Sequence, residues 1–211
     1  MTTEKTTATA KTTKTTTTIK KPKTEIVKGE SPNIPNLPKN PFVFEVLDLV
    51  SRQRSKQKKV QVLKKYEDIS LKIILIWNFD ESVISLLPEG DVPYSGFDDQ
   101  NVYSGTLSTK ITEEVRKMHT NGSFSLGVSD QQGHTTIRRE SKNFYHFVKG
   151  GNDGMNNIRR ETMFINILEG LHPLEAEILC LCKDKKLSEK YNITKDVVEE
   201  AYPDIQWGSR S

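Results

Sequence analysis

The sequence predicts an all-α protein: a helical array broken by one long irregular insertion and preceded by a disordered tail. Three observations predict it. Apolar residues recur at helical spacing in two blocks, 42–87 and 142–205. Cap residues, prolines and glycines sit at the ends of those periodic runs. Residues 1–24 are mostly Thr and Lys, with almost nothing apolar to offset the entropy of ordering them.

Pro32, Pro35, Pro38 and Pro41 make 29–41 read as an extended linker. Residues 1–39 are thus expected to be tail and linker, and 40–208 one helical domain. Asn40-Pro41 reads as a cap followed by Pro at the first helical position. Val43, Val46, Leu47 and Val50 then share one face. Arg52, Arg54, Lys56, Lys58 and Lys59 follow, and Ser55 is placed to cap a second helix carrying Val60, Leu63 and Tyr66. Leu71–Phe79 is apolar nearly all round, so periodicity alone leaves helix and strand open. Leu87-Pro88 closes the block. Residues 88–140 carry scattered Gly, Asp and Ser; only Ile111, Val115 and Met118 suggest a short helix there.

The second block opens near Lys142, with Phe144, Phe147 and Val148 on one face. Gly150-Gly151-Asn152-Asp153-Gly154 breaks it. A longer helix follows with Ile158, Ile165 and Leu168 inward, and Gly170 stops it. His172 precedes Pro173, which opens a helix with Leu174, Ile178 and Leu181 inward. Thr194 is placed to cap a last helix with Val198, Ala201 and Tyr202, ended by Pro203.

Composition bounds the function. The 211 residues are 34% hydrophobic and 28% charged, enough for one core but not along the whole length. No apolar run reaches the ~18 residues of a membrane span, and the N-terminus lacks an apolar signal core, so export is not expected. The net charge of +3 is uneven: residues 1–28 hold seven Lys and two Glu, which leaves the remainder at −2. A DNA surface on the body would have to be a local patch. The tail fits either electrostatic attachment to nucleic acid or a solubilising leader.

The candidate chemistry is thin. Cys180 and Cys182 lie two apart in a helical pattern and point in different directions, which suits packing and not a zinc site. A Cys–His nucleophile pair stays open, because spatial pairing is not visible in sequence. Lys149-Gly-Gly-Asn-Asp-Gly lacks the Gly-Lys-Ser/Thr ending of a phosphate loop. It reads equally as a helix–helix turn or as a Gly-rich turn whose free N–H groups suit one phosphate. Ser55–Lys59 and Lys183, Lys185, Lys186 are further basic clusters at helix ends. No cofactor or metal motif is present, and no catalytic residue is assigned.

Two resemblances add to this. Asn-Pro-Phe-Val-Phe-Glu-Val-Leu-Asp-Leu-Val (40–50), Glu-Gly-Leu-His-Pro-Leu-Glu-Ala-Glu (169–177) and Ala-Tyr-Pro-Asp-Ile-Gln-Trp-Gly (201–208) resemble a family of small proteins from tailed phages of marine bacteria and cyanobacteria. That implies a phage origin and the cytoplasm of an infected bacterial host. The two blocks, 42–88 and 142–207, are also similar to the helical N-terminal DNA-binding domain of ATP-dependent DNA ligases. The likeness lies in Phe44–Val50 with Ser55-Lys56-Gln57-Lys58 and Leu63-Lys64-Lys65, and in Leu71–Phe79 with Leu87-Pro88. It continues in Gly151-Asn152 opening a helix, in Lys183-Asp184, and in the close at Ala201-Tyr202-Pro203-Asp204-Ile205.

This second resemblance implies that Leu71–Phe79 is helical and that the protein grips duplex DNA by its backbone. The implied phosphate contacts are Ser55, Lys56, Lys58, Lys59, Lys149, Gly151, Asn152, Arg159, Arg160 and Lys186. Two departures stand out. Residues 88–140 are inserted, and Glu199 and Glu200 stand where ligases tend to carry Asn and Lys, so their carboxylates would repel a phosphate. Adenylation needs Lys-x-Asp-Gly, but Gly151 holds the lysine position before Asp153-Gly154, and no OB-type domain is expected after Ser211. The expectation is a non-enzymatic duplex-DNA-binding accessory protein of phage replication or repair. The alternative is an adaptor that binds a phage or host replication or transcription enzyme.

Overall fold

Where side chains meet backbone ends, this chain builds its helices; the computed structural model describes residues 35–93, 105–120 and 134–208. The expectations for residues 1–34 and for the remaining parts of the insertion lie outside these residues. Helix α1 is Val43–Ser51, α2 Lys56–Lys65 and α3 Ile69–Phe79. Then come α4 (Leu107–Thr120), α5 (Ile137–Glu140), a 3-10 helix (Ser141–Phe147), α6 (Asn157–Gly170), α7 (Pro173–Lys183), α8 (Leu187–Lys190) and α9 (Lys195–Ala201). Among the described residues the β structure amounts to one antiparallel bridge, Ser85 with Val148. The all-α class is as the sequence predicts.

Helix α1 starts two residues later than Asn40-Pro41 suggests. Its N-cap is Phe42, whose N–H donates to Glu45 Oε2 at 2.8 Å, so a first-turn carboxylate does the work of a cap. Ser55 caps α2 as expected, its Oγ accepting from the Lys58 N–H at 3.3 Å. Asp68 opens α3 by accepting from the Ser70 N–H at 2.9 Å. Buried Leu71, Ile74, Leu75 and Trp77 explain why α3 is apolar around most of its circumference. Part of the linker also has structure: the Leu37 N–H donates to the Tyr66 hydroxyl at 2.9 Å.

Helix does not continue to residue 87. Asp80 accepts from the Ser82 N–H (2.9 Å) and hydroxyl (2.8 Å), which turns the chain. Beyond it buried Val83 and Leu87 flank exposed Ile84 on extended backbone. The Leu86 N–H donates to Phe147 O at 2.8 Å and the Lys149 N–H to Ile84 O at 2.9 Å.

Helix α7 is central, packing against α1, α3, α4 and α6. Its Leu174, Ile178 and Leu179 are buried, at roughly 1.5–3 kcal/mol each. Its Glu175, 1% exposed, accepts from the Val43 N–H (3.2 Å) and the Ile137 N–H (2.8 Å), so one carboxylate closes the first turns of α1 and α5. The short helix expected from Ile111, Val115 and Met118 is α4, and the stretch otherwise expected to be irregular supplies core: Leu107, Ile111 and Val115 of α4 and Ile137 of α5 are buried. In α6 the inward face is Arg160, Phe164, Ile165, Ile167 and Leu168, whereas Ile158, expected inward, is 74% exposed.

Candidate nucleic-acid interface

Residues 51–66 hold seven basic residues and no acidic one. The helix they build turns Val60, Val62 and Leu63 into the core, against α1 and α9. Its remaining circumference is Lys and Gln. Arg54, Lys56, Lys58, Lys64 and Lys65 are exposed. Two carboxylates answer this charge: Asp48 pairs with Arg52 at 2.7 Å and Glu200 with Lys56 at 3.0 Å. Lys65 Nζ donates to Asn36 Oδ1 at 2.7 Å. Arg54, Lys58 and Lys64 have no ion pair among the described residues. Lys56 and Lys58 also sit at the positive end of the helix dipole, so that end attracts anions twice over.

Lys59 departs from the expected phosphate role. It is 7% exposed and its ammonium donates to the Asn192 carbonyl, tying α2 to the segment before α9. It lies on the same face as Val60 and Leu63, so its stem belongs to the core side of the helix.

The Gly-rich turn forms the second group. A Cβ on Gly151 would lie 1.9 Å from the Tyr145 carbonyl oxygen, so only glycine fits there. Asp153 Oδ1 accepts from the Gly150 N–H at 2.9 Å, and Asn152 Nδ2 meets His146 Nδ1 at 2.9 Å. Arg160 is the second correction. It is 2% exposed and donates to His146 O (2.8 Å), Asn152 O (3.0 Å), Met155 O (3.1 Å) and Asn157 Oδ1 (2.5 Å). Four of its five N–H donors build the turn, and at 2% exposure the guanidinium is closed to a phosphate. Lys149 and Arg159 are exposed beside that turn.

Lys186 stands apart, exposed between α7 and α8. Its neighbours are spent on structure. Lys183 is 4% exposed and donates to Pro88 O (2.7 Å) and Gly90 O (3.0 Å) and pairs with Asp184. Lys185, at φ 57°, donates from Nζ to Asp80 O at 2.8 Å. The ten expected residues thus fall in three places: Ser55, Lys56, Lys58 and Lys59 on α2; Lys149, Gly151, Asn152, Arg159 and Arg160 around the turn; and Lys186 beyond α7. Arg54 and Lys64 were not assigned to the site from sequence, though the lack of any acid across 51–66 points to them.

Nothing nearby supplies a reactive thiol. Burial pushes the Cys180 thiol up to about 12 and the Cys182 thiol higher still, so both stay protonated at neutral pH. Among the described residues no group of three or more His, Cys, Asp or Glu side chains is placed to hold a metal ion. No helix there is long and apolar enough to cross a membrane.

The sequence profile of a family of unknown function, DUF6433, matches residues 46–130 and 123–189. The chain belongs to that family. The match runs through 88–140, so that stretch is part of the family's own chain and not foreign to it. No curated protein and no solved structure matches the chain.

Proposed function

We propose that this protein is a non-enzymatic binder of duplex DNA, an accessory of phage replication or repair in the infected host's cytoplasm, and that α2 is its main contact. The observation that carries the reading is the charge of residues 51–66: seven cations, no acid, and Arg54, Lys58 and Lys64 free of ion pairs among the described residues. Such a surface costs the fold like-charge repulsion, which a row of phosphates relieves with release of counterions. The ligase-type resemblance, which implies a duplex against the same helix, supports the reading. Lys149 and Arg159 extend the contact if the duplex reaches the Gly-rich turn, with the second amide hydrogen of Asn152; the Gly151 N–H, expected to meet a phosphate, donates to Val148 O at 3.2 Å instead. Arg160 and Lys59 act by holding the two sites in shape.

The tail's seven lysines would bind DNA without any folded site, so the test uses a full chain in which those seven are Gln. In that background Arg54→Ala, Lys58→Ala and Lys64→Ala together should weaken binding to a duplex oligonucleotide at least tenfold, with the circular dichroism unchanged. Binding as tight as in the parent would remove α2 from the interface. No binding by the parent itself at low salt would leave a protein–protein adaptor as the reading.

A further inference from the structure

A groove of about 450 Å³ runs between α3 and the 3-10 helix, away from the residues of α2. Ile73, Ile76 and Trp77 form one wall, and Phe144, Tyr145 and Val148 the other. Tyr145, a lining residue, is 49% exposed, so part of this apolar surface stands open to water. An apolar surface of this kind left open to water marks a binding site more often than chance.

The charge along the groove says what fits it. Trp77, a lining residue 2% exposed, supplies a reporter at its wall. The charge is one-sided: Lys142 and Lys149 line the groove, both are exposed, neither has an ion pair among the described residues, and no carboxylate lines it. We infer that the groove binds an acidic segment of a partner protein, with an aromatic or aliphatic side chain between the walls and flanking carboxylates on Lys142 and Lys149. Nucleic acid fits less well, because a phosphodiester brings charge but no apolar group to cover Ile73, Ile76 and Val148. The groove shares Lys149 and Gly151 with the Gly-rich turn named above, whereas no residue of α2 lines it.

The probe is the peptide acetyl-Asp-Asp-Phe-Asp-Asp-amide, titrated to millimolar concentration against the full chain labelled with nitrogen-15. Trp207→Phe assigns the two indole N–H resonances. The Trp77 resonance should move saturably. Replacing the peptide's Phe by Gly, or its Asp residues by Lys, should each weaken binding at least tenfold. So should Lys142→Glu with Lys149→Glu, both at exposed positions where the fold is not at stake. An unmoved Trp77 resonance overturns the proposal. Equal affinity for the Gly or Lys peptide, or for the charge-reversed protein, does the same. Displacement of the peptide by single-stranded oligothymidylate would reassign the groove to nucleic acid.

Discussion

Arg160 gives its guanidinium to four oxygens of its own turn, at 2.5–3.1 Å, and none of them is a carboxylate. Lys58, with the same formal charge, has no ion pair among the described residues and stands in solvent. The two should respond oppositely to substitution. Arg160→Met strips three backbone carbonyls and an amide of their donor inside the turn and should cost about 3 kcal/mol, read as a lower urea midpoint. Lys58→Ala should leave stability within about 0.5 kcal/mol. The inward role of Arg160 was legible in principle: it lies four residues before Phe164 and eight before Leu168, on the same helical face. A charged residue on an apolar face reads first as an error of phase, so the sequence pattern favours a face through Ile158. The role of Lys59 was less legible, because its acceptor is a carbonyl 133 residues away.

At the scale of elements, the periodic helices α1, α2, α4, α6, α7 and α9 could be read from sequence, whereas α3 is apolar nearly all round and its period alone left helix and strand open. Their apolar stripes and caps are local signals. What could not be read is tertiary. Residues 83–87 turned extended because they pair with the chain beyond Phe147, and α8, four residues long, is too short to show a period. Glu175 closes the first turns of α1 and α5 from 132 and 38 residues away. Burial raises the Glu175 carboxyl to about 7 against its ordinary 4.5, so its contribution to stability is full below pH 4.5 and is lost as pH rises through about 7. His172, stacked on Phe44 at 4.8 Å with Nδ1 accepting the Leu174 N–H, is pushed down by burial to about 4. Its contribution is present above pH 6.5 and is lost as pH falls through about 4. The two slopes oppose each other between 4.5 and 6.5. Glu175→Ala removes one of them. Its cost, from denaturant titrations at several pH values, should be largest below pH 4.5 and shrink by up to roughly 3 kcal/mol by pH 8. A cost independent of pH would mean the carboxyl is not protonated in the fold.

For the whole molecule the charge map matters most. The body is near neutral, with a net charge of −2 beyond residue 28, yet residues 51–66 alone carry seven cations. The three clusters that looked alike in sequence are unlike in the fold. Lys183 and Lys185 fasten α7 to the chain after α3, Arg160 holds its turn, and α2 keeps its cations other than Lys59 in water. The all-α class was legible because it rests on local periodicity; which lysines are free was not, because that depends on carbonyls distant in sequence. The central claim is that α2 binds duplex DNA through its phosphates. Its most direct test is the salt dependence of binding for the full chain with its tail lysines neutralised. With roughly four phosphates engaged, affinity should fall by about two decades between 50 and 200 mM salt, and removing Arg54, Lys58 and Lys64 should flatten that slope by two to three phosphate equivalents. An affinity that does not change with salt, or a slope untouched by those substitutions, would contradict it.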